Sequence, residues 1–253
     1  MKRTIGLVCE GPRDREIIEK LVDLFLPDDE VNYRYLQPDK SLNSANFNGW
    51  KGVLRWCRRD FQRVIRNNQA MEPSIDLIII QMDGDVSRDE KNKQSHCICE
   101  NTVCAGREQY TLNGKVRLED CKEEKCPIIT PCGNHEGSPP ETYVSHIKNL
   151  VYSILGDTMI PVVVTIPCDS TDAWIVAAFD QEVNACEEIE KPWETVIAKK
   201  KDYHGIRING NKKNRSTYEK LDEQVLKNWE SVKAKCLQAK RFQEDIINVF
   251  HSQ

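Results

Sequence analysis

Five carboxylates stand where short apolar runs of the chain come to a stop. Glu10 and Asp14 follow the run Thr4–Cys9, Asp83 and Asp85 flank Gly84 after Ile75–Met82, and Asp172 comes shortly after Ile160–Ile166. Carboxylates brought together at the ends of buried strands repel one another unless some are protonated or a cation lies among them. Mg²⁺ is the expected cation, because it takes hard oxygen ligands and keeps waters that a substrate phosphate can displace. In an extended segment, side chains two apart point the same way, so Asp83 and Asp85 can address one ion while Gly84 lets the backbone approach closely. Each motif alone is weak. Asp14 also suits a helix N-cap, Asp172 suits the cap of the following helix, and an Asp-x-Asp pair occurs in ordinary loops.

The elements that would position these acids are legible in the apolar pattern. Thr4–Cys9 and Val31–Leu36 read as strands, Ile75–Met82 as a central strand covered on both faces, and Ile160–Ile166 as a further buried strand. Helical spacing follows the first run (Ile17, Ile18, Leu21, Leu24, Phe25). A second stripe, from Trp50 to Ile65, carries Arg55, Arg58, Arg59, Arg63 and Arg66 mostly off its apolar side. Helices are also expected over Tyr143–Leu155 and Asp172–Phe179, and one long helix over about Tyr218–Phe250. Strands alternating with helices predict an α/β chain with a mostly parallel sheet and right-handed crossovers. In such sheets ligands gather beyond the carboxyl ends of the strands, where these acids would lie.

Composition narrows the setting. The 253 residues contain 39% hydrophobic residues, enough for a sizeable core. No apolar run reaches the roughly 18 residues of a membrane helix, and Glu10 interrupts the N-terminal run too early for a signal peptide. A cytoplasmic protein with no membrane partner is expected. The net charge of −4 is uneven: residues 1–190 carry 22 basic against 32 acidic side chains, and residues 191–253 carry 14 against 8. A basic C-terminal part can neutralise phosphates or can simply be a solvated helical face.

Six of the eleven cysteines crowd one polar segment, residues 86–140. In a reducing compartment such crowding argues for metal before disulfides. Cys97, Cys99, Cys104, Cys121, Cys126, Cys132 and His135 are the candidate ligands of a structural Zn²⁺. The pairs Cys121/Cys126 and Cys132/His135 are spaced acceptably, and Cys97, Cys99 or Cys104 would complete the set. A segment with so few apolar residues would draw folding free energy from the metal. The competing reading is a set of reduced, uncoordinated thiols.

The stretches "VCEGPRDREII" and "LIIIQMDGD" together resemble the Toprim fold of topoisomerases, primases and OLD-type nucleases, and "EGPRD" is nearer to the OLD-like branch. "IPCDSTDAWIVAAFD" resembles a segment of small stand-alone Toprim-like bacterial proteins linked to phage defence. The resemblance implies a Toprim-like Rossmannoid domain over residues 1–85 and 141–190, interrupted by the Cys-rich insertion 86–140 and followed by a basic helical part, 191–253. It implies a nuclease using Mg²⁺ or Mn²⁺, with Glu10 as metal ligand or general base, Asp83 and Asp85 as metal ligands, and Asp14 and Asp172 as outer ligands of a second ion. The basic catalytic residue would come from Lys212, Lys213 or Arg215, with Lys213 preferred. Arg55, Arg59, Arg63, Lys212 and Arg215 would hold DNA or RNA. The alternative is a non-catalytic subunit that binds a partner such as an ATPase of a defence system. A nucleotide-binding reading is disfavoured because the sequence has no P-loop and no Gly-x-Gly-x-x-Gly.

Overall fold

The computed structural model describes residues 1–38, 49–85, 140–198, 202–208 and 215–251. The seven zinc candidates, Lys212 and Lys213 lie outside the described residues. Four parallel strands form the sheet: β1 (Lys2–Val8), β2 (Glu30–Gln37), β3 (Leu77–Gln81) and β4 (Val162–Thr165), in the spatial order β2-β1-β3-β4. Leu7 lies opposite Ile79 and Ile80 opposite Val164, so the carboxyl ends of β1, β3 and β4 are level. The chain is α/β, a parallel sheet flanked by helices.

Strand residues alternate between two apolar layers, as a pleated strand must when both faces are covered. Ile5, Leu7, Cys9, Leu77, Ile79 and Val163 enter one layer, while Val8, Ile78, Ile80, Met82 and Val164 enter the other. The first layer is filled by α1 (Pro12–Phe25), α5 (Asp172–Phe179) and the C-terminal helices. The second is filled by α2 (Gly49–Arg59), α3 (Phe61–Asn67) and α4 (Pro140–Leu155). From β1 the chain steps to β2 on one side and then returns past β1 to β3 on the other. Right-handed crossovers in opposite directions place their helices on opposite faces. The reversal falls between β1 and β3, the topological switch point at which α/β sheets bind ligands.

Three expectations are corrected. The arginine-bearing stripe is two helices, because the chain turns at Asp60 between Arg59 and Phe61. The long C-terminal helix is three, α7 (Arg215–Lys227), α8 (Trp229–Lys235) and α9 (Leu237–His251), separated by Asn228 and by Cys236, whose φ of −126° and ψ of 102° are extended. Asp14 is no N-cap. Gly11 holds that position with Pro12 first in the helix, since proline lacks the amide hydrogen the first turn cannot use, and Asp14 lies within that turn. A short helix α6 (Pro192–Ala198) and a two-residue hairpin, β5 (Asp202–Tyr203) with β6 (Ile206–Arg207), were not expected from the pattern.

The basic part is not an appendage. Tyr218, Leu221, Trp229, Phe242 and Ile246 share one apolar layer with Ile5 and Leu7, and Phe242 sits against both Phe25 and Trp174 at ring-centroid distances of 5.6 and 6.4 Å. Among the described residues no helix is long and apolar enough to cross a membrane.

Candidate functional site

Beyond the last residues of β1 and β3 the two chains are stitched together by side chains. Gln81, fully buried at the end of β3, accepts a hydrogen bond from the Glu10 amide at 3.2 Å and donates from Nε2 to Asp83 Oδ1 at 2.8 Å. Glu10 Oε1 in turn accepts from the Asp83 amide at 2.8 Å. The Glu10 carbonyl receives the Gly49 amide at 2.9 Å, and the Trp50 amide also bonds the Glu10 side chain. The start of α2 is therefore fastened to Glu10, and its unpaired amides face a carboxylate, the favourable sense for a helix dipole.

Asp83 and Asp85 run alongside the loop after β4. Gly84 donates to the Pro167 carbonyl at 2.9 Å and Asp85 to the Asp169 carbonyl at 3.0 Å. A Cβ at Gly84 would meet the carbonyl oxygens of Pro167 and Cys168 at 2.4 Å, so this close approach requires glycine. From that same loop Thr171 donates its hydroxyl to Asp14 Oδ1 at 3.1 Å. Asp172, the next residue, is 2% exposed and accepts the Tyr218 hydroxyl at 2.9 Å. Thr171 occupies the N-cap position of α5, so Asp172 begins the helix rather than capping it.

The electrostatics report crowding of like charge. Burial pushes the Glu10 carboxyl up to about 8; the Asp83 amide draws it back, and the Asp14 and Asp85 charges raise it further. Burial likewise holds Asp83 well above the usual carboxylate range, and the charges of Asp14, Glu10, Asp85 and Asp172 add to the shift. The structure thus brings the five acids within electrostatic reach of one another at the switch point. Among the described residues, however, no three Asp, Glu, His or Cys side chains are arranged as a metal-holding group. One oxygen of Asp83 and one of Glu10 are turned to donors of the chain itself.

The basic candidates are placed differently. Arg215 opens α7 and pairs with Glu16 at 3.4 Å and Glu219 at 3.2 Å. Arg59 and Arg63 are exposed on α2 and α3, Arg55 is half-buried, and Arg63 pairs with Asp60 at 2.9 Å. The guanidinium nearest the acids in sequence, Arg13, is engaged elsewhere. It bonds Asp222 at 2.5 Å and lies 4.1 Å over the Tyr218 ring, which also stacks on Trp193 at 5.0 Å. Lys20 shares Asp222 at 2.8 Å.

Sequence reasoning missed Gln81, Thr171 and Tyr218. Gln81 had a signal: it is the one polar residue in "LIIIQM", and a buried amide in a central strand needs partners. Tyr218 had none, since its role depends on the packing of α7 against α5.

These features define a class, a doubly wound α/β protein with an acidic cluster at its switch point. No family model matches the chain, and no curated protein or solved structure was found to be similar to it.

Proposed function

We propose that the chain is a metal-dependent nuclease of the Toprim type, hydrolysing phosphodiester bonds of DNA or RNA, in a setting of bacterial phage defence. The observation that carries the reading is the level ending of β1 and β3, which sets Glu10 beside Asp83 with Asp85, Asp14 and Asp172 in reach of their charge. The donor set is all hard oxygen, the chemistry that suits Mg²⁺ or Mn²⁺. Glu10, Asp83 and Asp85 would hold the first ion, with Asp14 and Asp172 as outer ligands of a second. Bound there, such ions supply charge neutralisation and an activated water.

The chain's own residues do the rest. Gln81 fixes one oxygen of Asp83 and the backbone of Glu10, so the two acids keep a constant relation. Glu10 would serve either as a ligand of the first ion or as the general base that takes a proton from an attacking water; it does either only when ionised, the form a bound cation favours. Thr171 and Tyr218 orient Asp14 and Asp172. The zinc module, and the charge that Lys213 or Lys212 would bring to the phosphate, belong to this reading from sequence alone.

One observation favours the alternative, a non-catalytic subunit bound to a partner such as an ATPase: among the described residues no three acids are arranged as a metal-holding group. Incubation of the purified chain with plasmid and with total RNA in Mg²⁺ or Mn²⁺, beside Glu10→Gln and Asp83→Asn, separates the two. Cleavage by the parent and not the variants supports the nuclease, and no cleavage of either polymer with either metal supports the subunit.

A further inference from the structure

We propose that the arginines of α2 and α3 form a rail for the phosphate backbone of double-stranded DNA. The outward positions 55, 58, 59, 62, 63 and 66 follow the spacing of one helical face, and five of the six are arginine with Gln62 the sixth. The turn at Asp60 does not break that face. Its φ of −104° and ψ of −27° stay in the helical region, and bonds from Asp60 to the Trp56 carbonyl (2.9 Å) and from Val64 to the Asp60 carbonyl (3.0 Å) carry the spiral through. Arg58, Arg59, Arg63 and Arg66 are exposed, while Val53, Leu54, Trp56, Cys57, Phe61, Val64 and Ile65 are buried behind them.

A merely solvated face would mix signs, as the C-terminal helices do. Here the face carries guanidinium groups, which meet phosphate oxygens through paired parallel hydrogen bonds. Within the turn, Asp60 engages Arg63. Single strands are held chiefly by stacking on exposed aromatic rings. Of the rings in this segment, Trp56 and Phe61 are buried and the half-buried Trp50 packs against the same apolar cluster, on the side away from the arginines, so the arginine face itself offers charge without a stacking platform. That favours a duplex, which is bound through its backbone. Laid along the major groove of B-form DNA, which at about 12 Å wide admits a helix, the face sets its arginines against the flanking phosphates, whereas the deep, narrow groove of A-form RNA does not admit it. The occupant is therefore DNA.

The rail starts at the acids, because α2 begins where Gly49 bonds Glu10. At about 1.5 Å per residue, Arg58 and Arg59 lie about 14 Å, and Arg66 about 25 Å, along the helix path from that point. At about 3.4 Å per base pair this corresponds to contacts about four to seven base pairs from a cut. Only this placement of the cut rests on the nuclease reading; binding to the rail does not.

The test is anisotropy of a fluorescein-labelled 24-base-pair DNA duplex, the matching single strand and the matching RNA duplex, with the full chain in EDTA from 50 to 200 mM KCl. The DNA duplex should bind at least tenfold tighter than either competitor. In the Arg58→Gln/Arg59→Gln/Arg63→Gln/Arg66→Gln variant the slope of log K against log salt should shrink by about 3 to 4, at about 0.9 per lost phosphate contact. Lys220→Gln/Lys227→Gln/Lys240→Gln, exposed on the C-terminal helices, should leave the slope unchanged. The rail is overturned if single strands or RNA bind as tightly as the DNA duplex, if the arginine variant keeps the parent slope, or if the lysine variant loses as much. Binding by Glu10→Gln equal to the parent's, with neither chain cutting in Mg²⁺ or Mn²⁺, would refute the nuclease and leave the rail standing.

Discussion

Replacing Glu10 by glutamine should stabilise the metal-free protein at alkaline pH and leave it nearly unchanged in acid. Glutamine keeps an oxygen to accept the Asp83 amide and removes the charge that burial and the neighbouring acids oppose. The Glu10 carboxyl is lifted from 4.5 to about 8 on folding. A folded-state value above the unfolded one means that the folded protein holds a proton the unfolded chain gives up. The associated stability is complete below about 4.5 and is lost as pH rises through about 8. At about 1.4 kcal/mol per unit, the shift sets a ceiling of about 5 kcal/mol on that loss. Partial exposure of the side chain and relaxation of its neighbours bring the expected figure to about 2–4 kcal/mol. Against a total stability of about 5–15 kcal/mol, this is readily measured. Urea unfolding in EDTA at pH 5 and pH 8.5 should show the parent losing stability relative to Glu10→Gln by that amount, with little difference at pH 5. Millimolar Mg²⁺ should then restore the parent at pH 8.5 and leave the variant unmoved, since a ligand stabilises only the state that binds it. Because Asp83 remains in both proteins, some loss on raising the pH is shared; equal pH dependence in the two, or a larger loss in the variant than in the parent between pH 5 and pH 8.5, would refute the reasoning.

Three further substitutions probe the framework of the site. Gly84→Ala forces a methyl group to within 2.4 Å of two backbone oxygens and should cost about 1–3 kcal/mol in urea unfolding while disturbing Asp83 and Asp85 on either side. Tyr218→Phe deprives the buried Asp172 of a hydroxyl donor and should destabilise by about 1–3 kcal/mol, with the far-ultraviolet circular dichroism unchanged. Phe242→Ala removes a ring packed between Phe25 and Trp174 and should cost about 3–5 kcal/mol, seen as a lower urea midpoint with an unchanged slope.

The sequence made the sheet readable because its strands are covered on both faces and therefore appear as short unbroken apolar runs, as in "LIIIQM". The acids at their ends were readable for the same reason: a charge directly after such a run marks where the chain leaves the core. The breaks at Asp60, Asn228 and Cys236 were not, since apolar periodicity reports which face is buried and continues in phase across a local turn. Asp14 misled because aspartate is common at helix caps, while the stronger local rule, a proline in the first helical position after glycine, sets the cap three residues earlier. Tyr218 and Thr171 were invisible because what they bind comes from segments 46 and 157 residues away.

The engagement of Arg13 with Asp222 has a consequence for the integrity of the acidic cluster. Arg13 sits on the first turn of the helix that follows Glu10, and the partner that occupies it belongs to a helix more than two hundred residues further along the chain. A protein cut short before α7 would lose Asp222 together with Tyr218, the hydroxyl donor to Asp172, and with them Leu221, Trp229 and Phe242 of the apolar layer, so Arg13 and Asp172 would be left without these partners in the same stroke that uncovered one face of the sheet.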